Sequence, residues 1–257
     1  MFTFLLKRFY QAVIVMFVIS LVAFSIQDNL GDPLRELVGQ SVSESVRQEL
    51  RDKMGLNDPF LVKYSRFLKN AVHGDLGTSY FFKRPALEVI LDKLVATLEL
   101  VFAAALIIVV VSIPLGVYSA IRPRSFLTKL IMAVSSIGIS IPVFLTAIML
   151  MYLFSIQLGW LPAYGRGETY NLLGWESGFF TWDGILHLVL PAVSLSSIML
   201  PLFIRLVRSE MLEQLSSEYV KFARAKGLDN NKVYYQHALK NTMLPVITVG
   251  GVQIGTM

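Results

Sequence analysis

From Leu130 to Gly165 the chain runs 36 residues without one Asp, Glu, Lys or Arg. A run of 18 or more apolar residues has the length of a transmembrane helix. Backbone N–H and C=O groups in hydrocarbon have to be satisfied within the segment itself, so the run implies helix. Charge is scarce throughout: 16% of the 257 residues are charged and 54% hydrophobic, where a soluble domain carries about 25% charged residues. The deficit is concentrated in a few long segments, and the chain is expected to be all-α and polytopic.

Phe9 to Ile26 is an 18-residue run whose polar members are Gln11, Ser20 and Ser25, enough for a helix of about 27 Å. It lacks the small-residue cleavage site of a secretory leader, so it is read as a retained first span. Lys7 and Arg8 place the N-terminus in the cytoplasm. Three further spans are expected at 94–118, 130–158 and 185–204. The second has Glu99 near its outer end and Pro114 near its inner end. The third is tilted or kinked around Pro142, and the fourth is interrupted by Pro191 and Pro201.

Residues 28–92 hold nine Lys/Arg and ten Asp/Glu and are expected outside the membrane, with an amphipathic helix over Ser43 to Met54 that puts Val46, Leu50 and Met54 on one face. Arg122, Arg124 and Lys129 mark a basic inner turn. Residues 159–183 form a second outer loop, with Trp160 and Tyr164 in the interfacial belt. Residues 205–242, with seven Lys/Arg and four Asp/Glu, return to the cytoplasm. Met243 to Met257 is apolar but only 15 residues long, against roughly 17–25 for a span. It is expected to be the first part of a fifth span, within which the sequence stops.

Several function classes are excluded. Without cysteine there is no disulfide or thiolate chemistry, and His73, His187 and His237 have no ligand spacing. No Gly-x-x-x-x-Gly-Lys-Ser/Thr loop and no nucleophile elbow occur. The chain is therefore expected to bind no cofactor or metal and to be no enzyme. The net charge of +5 comes largely from bases beside apolar segments, which speaks for membrane flanks and against nucleic acid.

Glu99 is the one acid in an apolar helical setting, and is read either as an anchor at the outer boundary or as a residue of a polar route. His187, near the outer start of the fourth span, is open to the same two readings. Ser135, Ser136, Ser140, Ser194, Ser196 and Ser197 suit helix packing or a weakly specific pathway. Ser216 or Ser217 is expected to cap a short helix with Tyr219, Phe222, Ala223 and Lys226 near one face and Gly227 at its end. On the residues alone, that helix either docks on a partner or lies on an anionic leaflet through Lys221, Arg224 and Lys226.

The run Tyr219-Val220-Lys221-Phe222-Ala223-Arg224-Ala225-Lys226-Gly227-Leu228, with His237-Ala238-Leu239-Lys240-Asn241 and Leu244-Pro245-Val246, resembles the coupling loop of the dipeptide/oligopeptide/nickel branch of ABC importer permeases, in the form of the first permease of the pair. Gly31-Asp32-Pro33, Met54-Gly55-Leu56, His73-Gly74-Asp75-Leu76-Gly77, Thr97-Leu98-Glu99-Leu100, Ser140-Ile141-Pro142, Gly159-Trp160-Leu161-Pro162 and Leu190-Pro191-Ala192 are similar to the family too. Of the broader importer motif, only Ala223, Gly227 and Leu239 are kept. The resemblance implies a type I ABC importer-like transmembrane fold, multi-pass in the bacterial inner membrane, that forms half of a translocation pathway. It implies a second homologous permease, two ABC ATPases carrying ATP and Mg, an extracytoplasmic substrate-binding protein, and a peptide as cargo, with nickel, glutathione or haem as related alternatives. It also implies that Tyr219, Phe222, Ala223, Arg224, Ala225, Lys226, Gly227 and Leu228 couple to an ATPase. An ion-coupled transporter using Glu99 and His187 is the main competing class.

Overall fold

The computed structural model describes residues 2–29, 46, 48, 51–52, 55–79, 81–172 and 175–256. Of the helix expected over Ser43–Met54, Val46, Gln48, Arg51 and Asp52 are helical and the rest lies outside the described residues. The chain divides into two compact units, with the boundary between Leu91 and Asp92.

In the first unit, α1 (Phe2–Asn29) extends the apolar run of the first span at both ends. It meets α2 (Phe60–Val72) through an aromatic joint. Phe60, Tyr64 and Phe67 recur at helical spacing, and all three rings lie 5.5–5.7 Å from the Phe24 ring. The Tyr64 hydroxyl is 2.8 Å from Ser20 Oγ and also donates to the Phe17 carbonyl. Tyr64 is buried while most of α1 is exposed, so this joint is where α1 is fixed to the rest of its unit.

Helix α3 (Ala86–Ile121) has 36 residues, about 54 Å of helix. It starts eight residues before Leu94 because Glu88, Asp92 and Lys93 extend it as an ordinary polar turn. It passes through Pro114 and ends before Arg122-Pro123, where the proline ring disfavours helix at the preceding residue. The long uncharged run that follows is two helices. One is α4 (Phe126–Ser140); the other is α5 (Val143–Leu150), which continues as a π-helical segment to Gln157. Ile141 and Pro142 are both extended, and the axis turns by 107° there. Pro142 lacks the N–H that would continue the ladder and pushes Ile141 out of the α region, so the helix stops and restarts.

Strands β1 (Tyr170–Leu172) and β2 (Trp175–Ser177) pair antiparallel ahead of α6 (Trp182–Ser216), which contains Pro191 and Pro201. Then come α7 (Glu218–Ala225), a π-helical segment Lys232–Ala238, and α8 (Leu239–Ile254).

Specific contacts fix the directions of these helices. Toward one end Glu99 of α3 binds the loop that leads into α6, and toward the other Arg208 of α6 reaches the Ser119 carbonyl of α3, so α3 and α6 run the same way. Against α6, the pairs Arg208–Met132, Arg205–Ser136 and Ser194–Val143 run in reverse order, so α4 runs opposite to it up to the break. Thr128 bonds the Arg122 carbonyl, and Arg166 bonds Glu99. Glu99 and Arg122, the residue just after α3, are 23 residues apart, about 35 Å of helix. Among the described residues three helices, α1, α3 and α6, are long and apolar enough to cross a membrane, and the bent pair passes the same test if its two halves are counted as one.

Helices α3 and α6 come close at Gly116, where a Cβ would lie 2.6 Å from Val207 Cβ and 3.0 Å from the Ile204 carbonyl. The core of this unit gathers toward the Ile121 end of α3. Val117 and Ala120 of α3, Phe203, Val207 and Met211 of α6, Val220 and Ala223 of α7, and Val233 and Ala238 are all buried together there.

Candidate functional site

Two places in the second unit concentrate the residues singled out above, one at each end of α3. The first is α7. Ser217 occupies its N-cap position with extended backbone, but its side chain caps nothing. Ser216 and Ser217 instead donate their hydroxyls back to the Glu213 and Gln214 carbonyls, because the last turn of α6 offers free acceptors. Glu218 in the first turn and Arg224 in the last suit the helix dipole, and Lys221 Nζ lies 2.7 Å from Glu218 Oε1.

The C-terminus of α7 closes as a Schellman motif. Leu228 N–H donates to the Ala223 carbonyl and Gly227 N–H to that of Arg224. Gly227 has φ +78° with open space where a Cβ would stand, so conformation, rather than room, calls for glycine.

The expected face of α7 divides. Val220 and Ala223 point into the core, at 0% and 5% exposure, whereas Phe222 is 61% exposed. Tyr219, Arg224, Ala225, Lys226, Gly227 and Leu228 are exposed as well, and Lys226 Nζ lies 4.5 Å over the Phe222 ring. Ala223 thus belongs to the inner face, together with Val220. The outer face is an aromatic and cationic strip on a helix whose back is locked to α6 and the segment after it.

The second place is Glu99, which is 5% exposed. Its Oε1 accepts from Gly178 N–H at 2.9 Å and its Oε2 faces Arg166 at 3.2 Å. Arg166 also donates to the Glu176 carbonyl of β2. The loop and the start of α6 interlock around this pair. Gly184 packs where a Cβ would meet the Gly178 carbonyl at 2.3 Å. Thr181 Oγ1 caps α6 by accepting from Gly184 N–H. Asp183, in the first turn of α6, accepts from Glu168 N–H. A carboxylate with one backbone donor and one guanidinium partner is compensated in its burial.

His187 sits one turn into α6, with Nδ1 2.8 Å from the Asp183 carbonyl. A Cβ on Gly167 would come 2.6 Å from the same nitrogen. The structure places it beside the loop and does not bring it into contact with Glu99.

Arg166, Gly178 and Thr181 were not singled out in the sequence. A signal existed for Arg166, the only Lys or Arg between Lys129 and Arg205. Among the described residues no group of three or more His, Asp or Glu is placed to hold a metal.

Residues 112–257 match the family described as binding-protein-dependent transport system inner membrane component, and residues 1–101 match its N-terminal family. The chain is 34% identical to the dipeptide transport system permease protein DppB of Alkalihalophilus pseudofirmus, over 100% of this chain and 81% of that one. It is 37% identical to the oligopeptide transport system permease protein AppB of Bacillus subtilis, over 99% and 79%. It is 35% identical to the probable D,D-dipeptide transport system permease protein DdpB of Escherichia coli, over 98% and 78%. On these matches, which run from end to end of the sequence, the chain belongs to the family of binding-protein-dependent transport system inner membrane components, as a multi-pass inner-membrane permease of the B type.

Proposed function

We propose that this chain forms one half of the translocation core of an ATP-driven peptide importer, with a second, homologous permease as the other half. Its N-terminus and residues 205–242 face the cytoplasm, while residues 28–92 and 159–183 face outward. The spans are those expected at 9–26, 94–118, 130–158 and 185–204, with residues 243–257 in a fifth. A substrate-loaded extracytoplasmic binding protein docks on the outer segments. Two ATPases, which carry the ATP and Mg, close on the inner side, and their closure rearranges the permease pair between outward- and inward-facing states.

The observation that carries this reading is α7. Its back is buried in the core of its unit through Val220 and Ala223, and its front exposes Tyr219, Phe222 and Lys226. A helix held this way transmits a push as a rigid lever instead of rolling on its support. Tyr219, Phe222, Arg224, Ala225, Lys226 and Leu228 form the ATPase-facing strip. Ala223 seats it, and Gly227 ends it. Glu99 acts as an outer anchor, because both its oxygens are engaged by the loop. His187 supports the same loop, its Nδ1 beside the Asp183 carbonyl.

Uptake of labelled di-, tri- and longer peptides, glutathione and nickel in cells lacking the permease, with and without its restoration, tests the cargo. Rescue of peptide uptake alone is expected. Rescue of glutathione or nickel without peptides overturns the cargo while keeping the importer architecture.

A further inference from the structure

Near the Ile121 end of α3 a cavity of about 490 Å³ opens between that helix and the π-helical segment Lys232–Ala238. One rim is polar, with Arg122, Asn231, Tyr234 and Tyr235, and the wall behind it is apolar, with Ile113 and Val117. No carboxylate lines it. Among the described residues Arg122 makes no ion pair, its guanidinium lying 5.8 Å over the Tyr118 ring. The nearby Asp229 is turned to its own backbone, accepting from Asn231 N–H.

We infer that this cavity is a binding site for an anionic phospholipid, its phosphate held at Arg122 and its acyl chain lying along α3 toward Ile113. Charge and depth both support this occupant. Residues 100–121 hold no charge and span about 33 Å of helix, so Arg122 stands at the edge of the hydrocarbon layer, at the level of lipid phosphates. Arg124 and Lys129 follow at once and strengthen the attraction for an anion. The negative end of α3 opposes an anion, but the Arg122 carbonyl just beyond it already accepts from Thr128 Oγ1 and Ser125 N–H. A soluble phosphate would fill only the polar rim. The apolar wall runs nine residues up α3, from Arg122 to Ile113, and suits a chain attached to the phosphate. Tyr234 and Tyr235 belong to the segment that returns from α7, so a lipid seated here touches the moving end of the coupling region.

The site rests on the reading of α3 as a span, and depends neither on the cargo nor on which end of the chain faces the cytoplasm. Its test uses the full-length permease in its assembled transporter, in phosphatidylcholine nanodiscs that contain phosphatidylglycerol with a photoactivatable acyl chain. The lipid is present in both leaflets there, so an inverted topology leaves the result unchanged. Cross-links are expected on peptides that contain Ile113–Ile121 or Tyr234–Leu239. They fall about fivefold in Arg122→Gln and persist in Arg122→Lys, which keeps the charge. If Arg122→Gln fails to assemble, the double variant Tyr234→Phe with Tyr235→Phe keeps both rings and is expected to lose about two- to threefold. Equal labelling by photoactivatable phosphatidylcholine, labelling indifferent to these substitutions, or displacement by inorganic phosphate would overturn the proposal.

Discussion

Glu99 and Arg166 show how much a single buried pair can organise. The carboxylate is 6% exposed and the guanidinium 29%, so removing one partner leaves the other poorly solvated. Glu99→Leu and Arg166→Leu are each expected to destabilise the folded permease by about 2–3 kcal/mol, somewhat below the range for a fully buried pair because Arg166 retains some water. The double variant is expected to cost clearly less than the sum of the two. Denaturation of the four proteins in detergent checks this, and additive losses would mean that the pair is not coupled. In the sequence Glu99 stands out as an acid among apolar residues, yet its partner is 67 residues away, in a loop whose path depends on where α5 ends. Periodicity carries no information about such a meeting. Ser217 illustrates a different limit: its type and position fit a cap, but the free carbonyls of α6 compete for its hydroxyl and win.

Among the elements, α3 and α6 approach each other closely at Gly116. A methyl at Gly116 would sit 2.6 Å from Val207 Cβ, so one helix has to shift. Gly116→Ala is expected to cost about 1–3 kcal/mol by overpacking. Adding Val207→Gly to it, which removes that Cβ, is expected to recover part of the loss, although Val207→Gly alone destabilises. A thermal-melting series over the three variants decides the point, and Gly116→Ala with unchanged melting would contradict the packing. Gly227 poses the opposite problem, because space is free there and only the positive φ matters. Gly227→Asn is expected to be milder than Gly227→Val, since asparagine tolerates the left-handed region and a β-branched residue does not. The measurement is recovery of the assembled transporter. The close approach at Gly116 left no trace that a single sequence could show, because a glycine in an apolar helix reads as a weak helix former. The stop at Ile141–Pro142 was visible as a proline, but its 107° turn arises from two consecutive extended residues and the packing of both halves on α6.

At the scale of the whole molecule, the long apolar helices were legible because hydrocarbon imposes the same demand on every residue of a span. Leu130 to Gln157 apart from the break at Ile141–Pro142, Phe9 to Ile26 and the apolar parts of α3 and α6 satisfy it as helices. Helix ends were harder to place. Polar turns such as Ala86–Lys93 extend a span into water at little cost, so hydropathy marks the lipid and not the helix. The coupling strip was legible from resemblance, whereas its orientation came from packing. Ala223 and Phe222 are neighbours in the sequence and differ in burial, one in the core and one 61% exposed.

That contrast sets the most direct test of the claim that α7 is the lever through which ATPases drive this permease. Phe222→Ser and Val220→Ser are introduced into the tagged full-length chain, and co-purification of the ATPases is measured beside thermal melting of the isolated permease. Phe222→Ser is expected to lower ATPase recovery at least about tenfold, as loss of an aromatic hot spot does, with melting unchanged. Val220→Ser is expected to lower the melting temperature as well. Full ATPase recovery by well-folded Phe222→Ser would contradict the account.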